Sequence, residues 1–140
     1  MSNLMGAKTL TKAHPELKEQ AEKFSSMLGR FAIAVENSLI KYGKKIVDNE
    51  LPQGRLADMA IELYIILAVI SRTTAILNSS KATQEQKDYV FKLTKYICND
   101  SGKKIKRNLK AMDKNNDKLV GKVSELVVNF GGYGLDIVDF

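Results

Sequence analysis

Apolar residues recur in steps of three and four along most of this chain, and the steps fall into four segments. Leu17, Ala21, Phe24, Leu28, Phe31, Val35, Leu39, Tyr42 and Ile46 form one stripe, which predicts an amphipathic helix from Pro15 to about Asp48. Pro15 suits its first turn, where a missing N–H costs nothing. Asn49–Gly54, with Pro52 and Gly54, reads as the break, and a second helix follows over Arg55–Leu77. Asn78-Ser79-Ser80 stops it, and Thr83 with Gln86 makes a capping box for a third helix. The third line runs Val90, Leu93, Ile97, Ile105, Leu109, Met112. Ser101 and Gly102 interrupt it where a kink or a close helix contact is expected. After Asn115-Asn116-Asp117, a fourth helix carries Leu119, Val123, Leu126, Val127 and Phe130, closed by Gly131-Gly132 at the C′ position.

The second segment stands apart. From Met59 to Ile70 every position is apolar except Glu62. The run is shorter than the roughly 18–20 residues a membrane crossing needs, so it predicts a helix buried on nearly all sides, with Leu63, Leu67 and Ile70 inward. Four helices joined by short turns favour antiparallel neighbours. The fold class expected is all-α, a four-helix up-and-down antiparallel bundle over 14–132, with a flexible arm at 1–13 and a tail at 133–140.

Composition agrees and removes several function classes. At 140 residues with 44% apolar content the chain can build one core, and it has no Trp and only two Pro. A single Cys, Cys98, excludes an internal disulfide and a multi-thiolate metal site. A single His, His14, excludes a polyhistidine site. No metal site is therefore expected. Met1–Leu10 lacks both the apolar core of a signal peptide and the arginines of a transit peptide.

Charge is concentrated. The whole net charge of +6 sits between Ser101 and Lys122, where eight cations meet two anions, and the rest of the chain balances. Lys103, Lys106, Arg107, Lys110 and Lys114 recur at helical spacing opposite Ile105, Leu109 and Met112. A solvated face is the ordinary meaning of such a stripe, and contact with anionic lipid or a partner is the sharper one. Nucleic acid is disfavoured because the stripe has no interleaved aromatic for base stacking and no recognition motif.

The remaining candidates read as structural. Glu62 could serve as a general base only beside an acyl and flavin site that the sequence does not supply, and Arg55, Asp58 and Arg72 offer it polar company. Arg72 is expected to bind helix carbonyls or a neighbouring carboxylate. His14 stands at a helix entrance. Cys98, one residue past the apolar line, reads as a half-buried thiol. Gly131, Gly132 and Gly134 follow a helix instead of opening one, so they are not a phosphate loop. No catalytic or cofactor-binding residue is expected in this chain.

The motif Arg55-Leu56-Ala57-Asp58, with Ala60-Ile61, Leu63-Tyr64 and Ser71-Arg72, resembles the C-terminal helical extension of very-long-chain acyl-CoA dehydrogenases. His14-Pro15-Glu16-Leu17, Leu39-Ile40-Lys41, Ile46-Val47 and Gly131-Gly132 extend the resemblance over 14–132. It implies a mitochondrial enzyme on the matrix side of the inner membrane that holds FAD in another portion and oxidises long acyl-CoA esters. The extension itself would contact the remainder of the enzyme, its dimer mate or anionic membrane such as cardiolipin. The rival reading is an independent helical adaptor. Pro52, the Lys-rich third helix and the end GYGLDIVDF depart from the family pattern.

Overall fold

In a computed structural model, the described residues are Leu10 and 12–132. A 3₁₀ turn, Pro15–Leu17, leads into α1 (Lys18–Tyr42). A second 3₁₀ segment, Gly43–Asp48, precedes α2 (Glu50–Leu77), and α3 (Gln84–Asp113) and α4 (Asp117–Asn129) follow. The described residues hold no strand, and the expected all-α bundle with four helices is present. Most of the expected arm and all of the expected tail lie outside the described residues. Leu10 and Ala13, within the arm, pack against the core.

The entrance to the bundle follows its local signals. His14 caps the first turn, its Nδ1 accepting from the Glu16 N–H at 3.2 Å, and its own N–H donates to Thr74 Oγ1 at 3.1 Å. The first break falls earlier than expected. Gly43 leaves α1 with φ +53°, a conformation that favours glycine, and the chain then tightens into the 3₁₀ segment. Of Asn49–Gly54 only Asn49, between the 3₁₀ segment and α2, lies outside a helix. Pro52 sits in the first turn of α2, where no N–H is required, and is itself buried.

Pairings across the interfaces set the direction of the helices. Thr73 Oγ1 lies 2.6 Å from Thr94 Oγ1, and Glu62 faces Lys104, so α2 and α3 are antiparallel. Met27 rests against Gly102, and Ala34 and Ser38 share a groove with Leu109 and Met112, so α1 runs parallel to α3. The expected capping box at α3 is made by Thr83 and Gln86 in both directions, at 3.2 and 2.9 Å.

The core is built from large residues on α2 and small ones on α3. Met59, Leu63, Ile66 and Ile70 of α2 are buried, with Leu17, Phe24 and Met27 from the α1 side. α3 answers with Thr94, Cys98, Ser101, Gly102 and Ile105. Its buried line therefore differs from the expected one: Leu93 is 41% exposed and Cys98 is inside. Ser101 and Gly102 mark a close helix contact, and α3 runs unbroken through them.

Two expectations for α2 need correction. It is buried on one side only. Leu67 is 36% exposed, because Ile66, which is fully buried, takes the inward position beside it. The helix also extends well past the Met59–Ile70 run. By length and composition it could cross a membrane, but seven of its residues go to the core of the bundle.

α4 is peripheral. None of its residues is buried, and Leu119, Val123, Leu126 and Phe130 are between 50% and 72% exposed. Its C-terminus is closed as expected: the Gly132 N–H donates to the Val127 carbonyl and the Gly131 N–H to the Val128 carbonyl, each at 3.0 Å.

Candidate functional site

The basic stripe is realised as one exposed face of α3. Lys103, Lys106, Arg107, Lys110 and Lys114 are all exposed, and none has an ion-pair partner among the described residues. Lys104 is turned aside. Its Nζ lies 3.0 Å from Asp100 Oδ2 and 3.3 Å from Glu62 Oε1. Those two hydrogen bonds, Asp100 first, hold its ammonium above the ordinary lysine value.

The structure adds residues that the stripe alone did not reveal. A groove of about 360 Å³ between α1 and α3 places Lys103 and Lys106 beside Lys23 and Arg30 of α1, over a floor of Met27, Cys98 and Gly102. Arg30 also borders a second groove of about 410 Å³, which continues along the same seam to Lys41, Leu109 and Asp113. Lys23 is partly neutralised by Glu19 at 2.6 Å, and its hydrogen bond lowers the Glu19 carboxyl from the ordinary value. Arg30 and Lys23 lie some seventy and eighty residues before the start of the stripe, and only the parallel packing of α1 on α3 brings them together. Tyr96, 70% exposed, stands seven residues before Lys103, two helical turns along the same face.

The side chains with chemical potential have structural surroundings. Glu62, the lone carboxylate of the apolar run, gives Oε1 to Lys104, while its Oε2 is buried without a hydrogen-bond partner. Arg55 is drawn elsewhere, to Asp117. Arg72 is exposed and has neither hydrogen bond nor ion pair among the described residues, in place of the expected carbonyl or carboxylate contact. Burial pushes the Cys98 thiol up to about 11, so it stays protonated at neutral pH and is a poor nucleophile. Among the described residues, no three His, Cys, Asp or Glu side chains gather in a metal-binding group.

These helices match the family model described as ACAD9/ACADV, C-terminal domain, over residues 15–133. The chain belongs to this family. It is 32% identical to the very long-chain specific acyl-CoA dehydrogenase, mitochondrial, of Rattus norvegicus over 102 residues, which are 73% of this chain and 15% of that protein. Against the Homo sapiens protein of the same name it is 33% identical over 99 residues, or 71% of this chain and 15% of that one. The domain thus spans about 15% of the length of the curated relatives it matches. The family match takes in α1 to α4, so it covers the basic face and the α1–α3 groove as well as the core.

Proposed function

We propose that this chain serves as the non-catalytic C-terminal domain of a very-long-chain-specific acyl-CoA dehydrogenase, supplying structural, partner or membrane contacts. The observation that carries the reading is the family match across all four helices. The surroundings of the reactive groups support it: Glu62 faces an ammonium, Cys98 is buried and His14 caps a turn. In this reading the whole enzyme is mitochondrial, on the matrix side of the inner membrane. It uses FAD to oxidise long acyl-CoA esters in fatty-acid β-oxidation, and the flavin belongs to the remainder of that enzyme. Among the described residues, the glycine pair after α4 offers FAD no phosphate cradle. The N–H groups of Gly131 and Gly132 are taken up by α4 carbonyls and cannot cradle a pyrophosphate. The purified chain is therefore expected to carry no flavin and to leave an electron acceptor oxidised in the presence of palmitoyl-CoA. A flavin spectrum that survives gel filtration overturns the reading. An independent helical adaptor shares the same uncovered faces and differs only in lacking an acyl-CoA dehydrogenase partner.

The α3 face supports an anionic membrane, cardiolipin-bearing in a mitochondrion, as one such contact. Near an anionic leaflet each cation contributes roughly 1 kcal/mol, so five unpaired cations on one face suffice for weak attachment. Binding to cardiolipin vesicles and none to neutral ones is expected. It should fade by several hundred millimolar salt, since charge is screened over about 8–10 Å already at physiological strength. Changing Lys103, Lys106, Arg107 and Lys110 together to Gln should abolish binding and leave the thermal transition in place. Equal sedimentation of both proteins with anionic vesicles at low salt would reduce the face to a solvated one.

A further inference from the structure

From Met59 to Ile70 α2 is apolar at every position but Glu62, yet the bundle covers only one side of it. Ala57, Ala60, Ile61, Tyr64, Ala68 and Ser71 follow steps of three and four along the other side and are all exposed. Ile61 is 58% exposed and Tyr64 71%. The line carries no charge over four turns, and the nearby Glu62 is turned away from it to Lys104 of α3. An all-apolar helix is the pattern of a helix covered all round. Depletion of charge, with an aromatic and an aliphatic knob among small residues, is the composition of an interface core and not of a solvated face. The small residues let a facing helix come close.

We propose that this outer face of α2 docks the domain onto the catalytic portion of an acyl-CoA dehydrogenase, with Ile61 and Tyr64 seated in that portion's surface. The inference rests on the domain reading above and names the face that reading requires. Three observations select this occupant. The family is that of a C-terminal domain, and the chain covers only about 15% of its relatives, so a large partner surface belongs to the same enzyme. A helix lying on a membrane carries several cations along its polar edge, whereas α2 offers a single unpaired one beside this face, Arg72. A second copy would bring together two chains that each carry a net +6.

The test titrates the full chain against the Rattus norvegicus enzyme from which the matching segment has been removed, read by sedimentation velocity. A complex is expected. Ile61→Glu and Ala68→Glu should each weaken it at least ten-fold, while Lys92→Gln, at an exposed position of α3 outside both faces, leaves it unchanged. Both Glu variants alter exposed positions, so their melting temperatures should stay near that of the parent chain. As a second measurement, the same enzyme carries this chain in place of its own segment. Maleimide labelling at Tyr64→Cys should then be at least ten-fold slower than in the isolated chain. Undiminished binding by the Glu variants, or equal labelling in both settings, overturns the face and leaves the domain reading standing. No complex with the unaltered chain, and no protection in the fusion, overturns both. A dimer of the isolated chain that Ile61→Glu dissociates assigns the face to a second copy, and vesicle binding lost in that variant assigns it to a membrane.

Discussion

Ile66→Asp is expected to abolish cooperative folding, whereas Leu67→Asp, one residue along, leaves a clear thermal transition. Ile66 is fully buried among Leu63, Ile70 and the α3 residues that face them. Asp there loses about 1.5–3 kcal/mol of apolar burial and leaves a carboxylate without a partner in the interior. The second penalty is of the same order or larger, and together they approach the 5–15 kcal/mol on which a small domain stands. Leu67 is 36% exposed, so its carboxylate reaches water and only part of the apolar burial is lost, about 1–2 kcal/mol. Circular dichroism melts of the two variants check this directly. A sharp transition for Ile66→Asp, or none for Leu67→Asp, would exchange the inward positions and move the whole register of α2.

That pair also shows where periodicity stops being informative. Along a helix with apolar residues at nearly every position, lines through residue 66 or 67 both follow steps of three and four. The faces offered by α1 and α3 decide between them, and those faces are not written in α2. Local signals fared better because their partners lie within a few residues. The His14 and Thr83 caps and the Gly131-Gly132 stop all stand where the residues place them. The break before α2 shrinks to Asn49 because Pro52 tolerates a first turn as readily as a loop, and α1 itself ends earlier, at Gly43 with its positive φ. The basic face was legible from spacing on α3. Its extension to Lys23 and Arg30 was not, since it arises only when two distant helices lie parallel. Cys98 was missed as a core residue for a related reason: opposite the bulk of α2, α3 needs small side chains, and a hydrophobic line counts only large ones.

Arg55→Ala is expected to loosen α4 and leave the rest of the bundle folded. A helix of 13 residues is marginal alone in water, and α4 buries no side chain that would stabilise it by packing. Its anchor is at its first residue. Both Asp117 carboxylate oxygens accept from the Arg55 guanidinium, at 2.6 and 2.7 Å, and the Asp117 N–H donates to Asn115 Oδ1 at 3.2 Å. The Arg55 and Asp117 side chains remain 19% and 23% exposed, so solvent weakens the pair, and about 1 kcal/mol is a fair magnitude for it. That small figure matters in a segment with little other support, where it should lower α4 amide protection about five-fold. The same contact sets a pH dependence. The Arg55 hydrogen bond holds the Asp117 carboxyl below its ordinary value of 3.8. A depressed carboxyl contributes stability that is complete above the unfolded value and is lost as pH falls through the folded one. Protection in α4 should therefore hold from neutral pH down to about 4 and decline below that. In Arg55→Ala this acid-dependent part should be gone, with the melting of α1 to α3 little changed. Hydrogen exchange over 117–130 at several pH values reads both effects. Protection in the variant equal to that of the unaltered chain would mean that something other than Arg55 holds α4 in place.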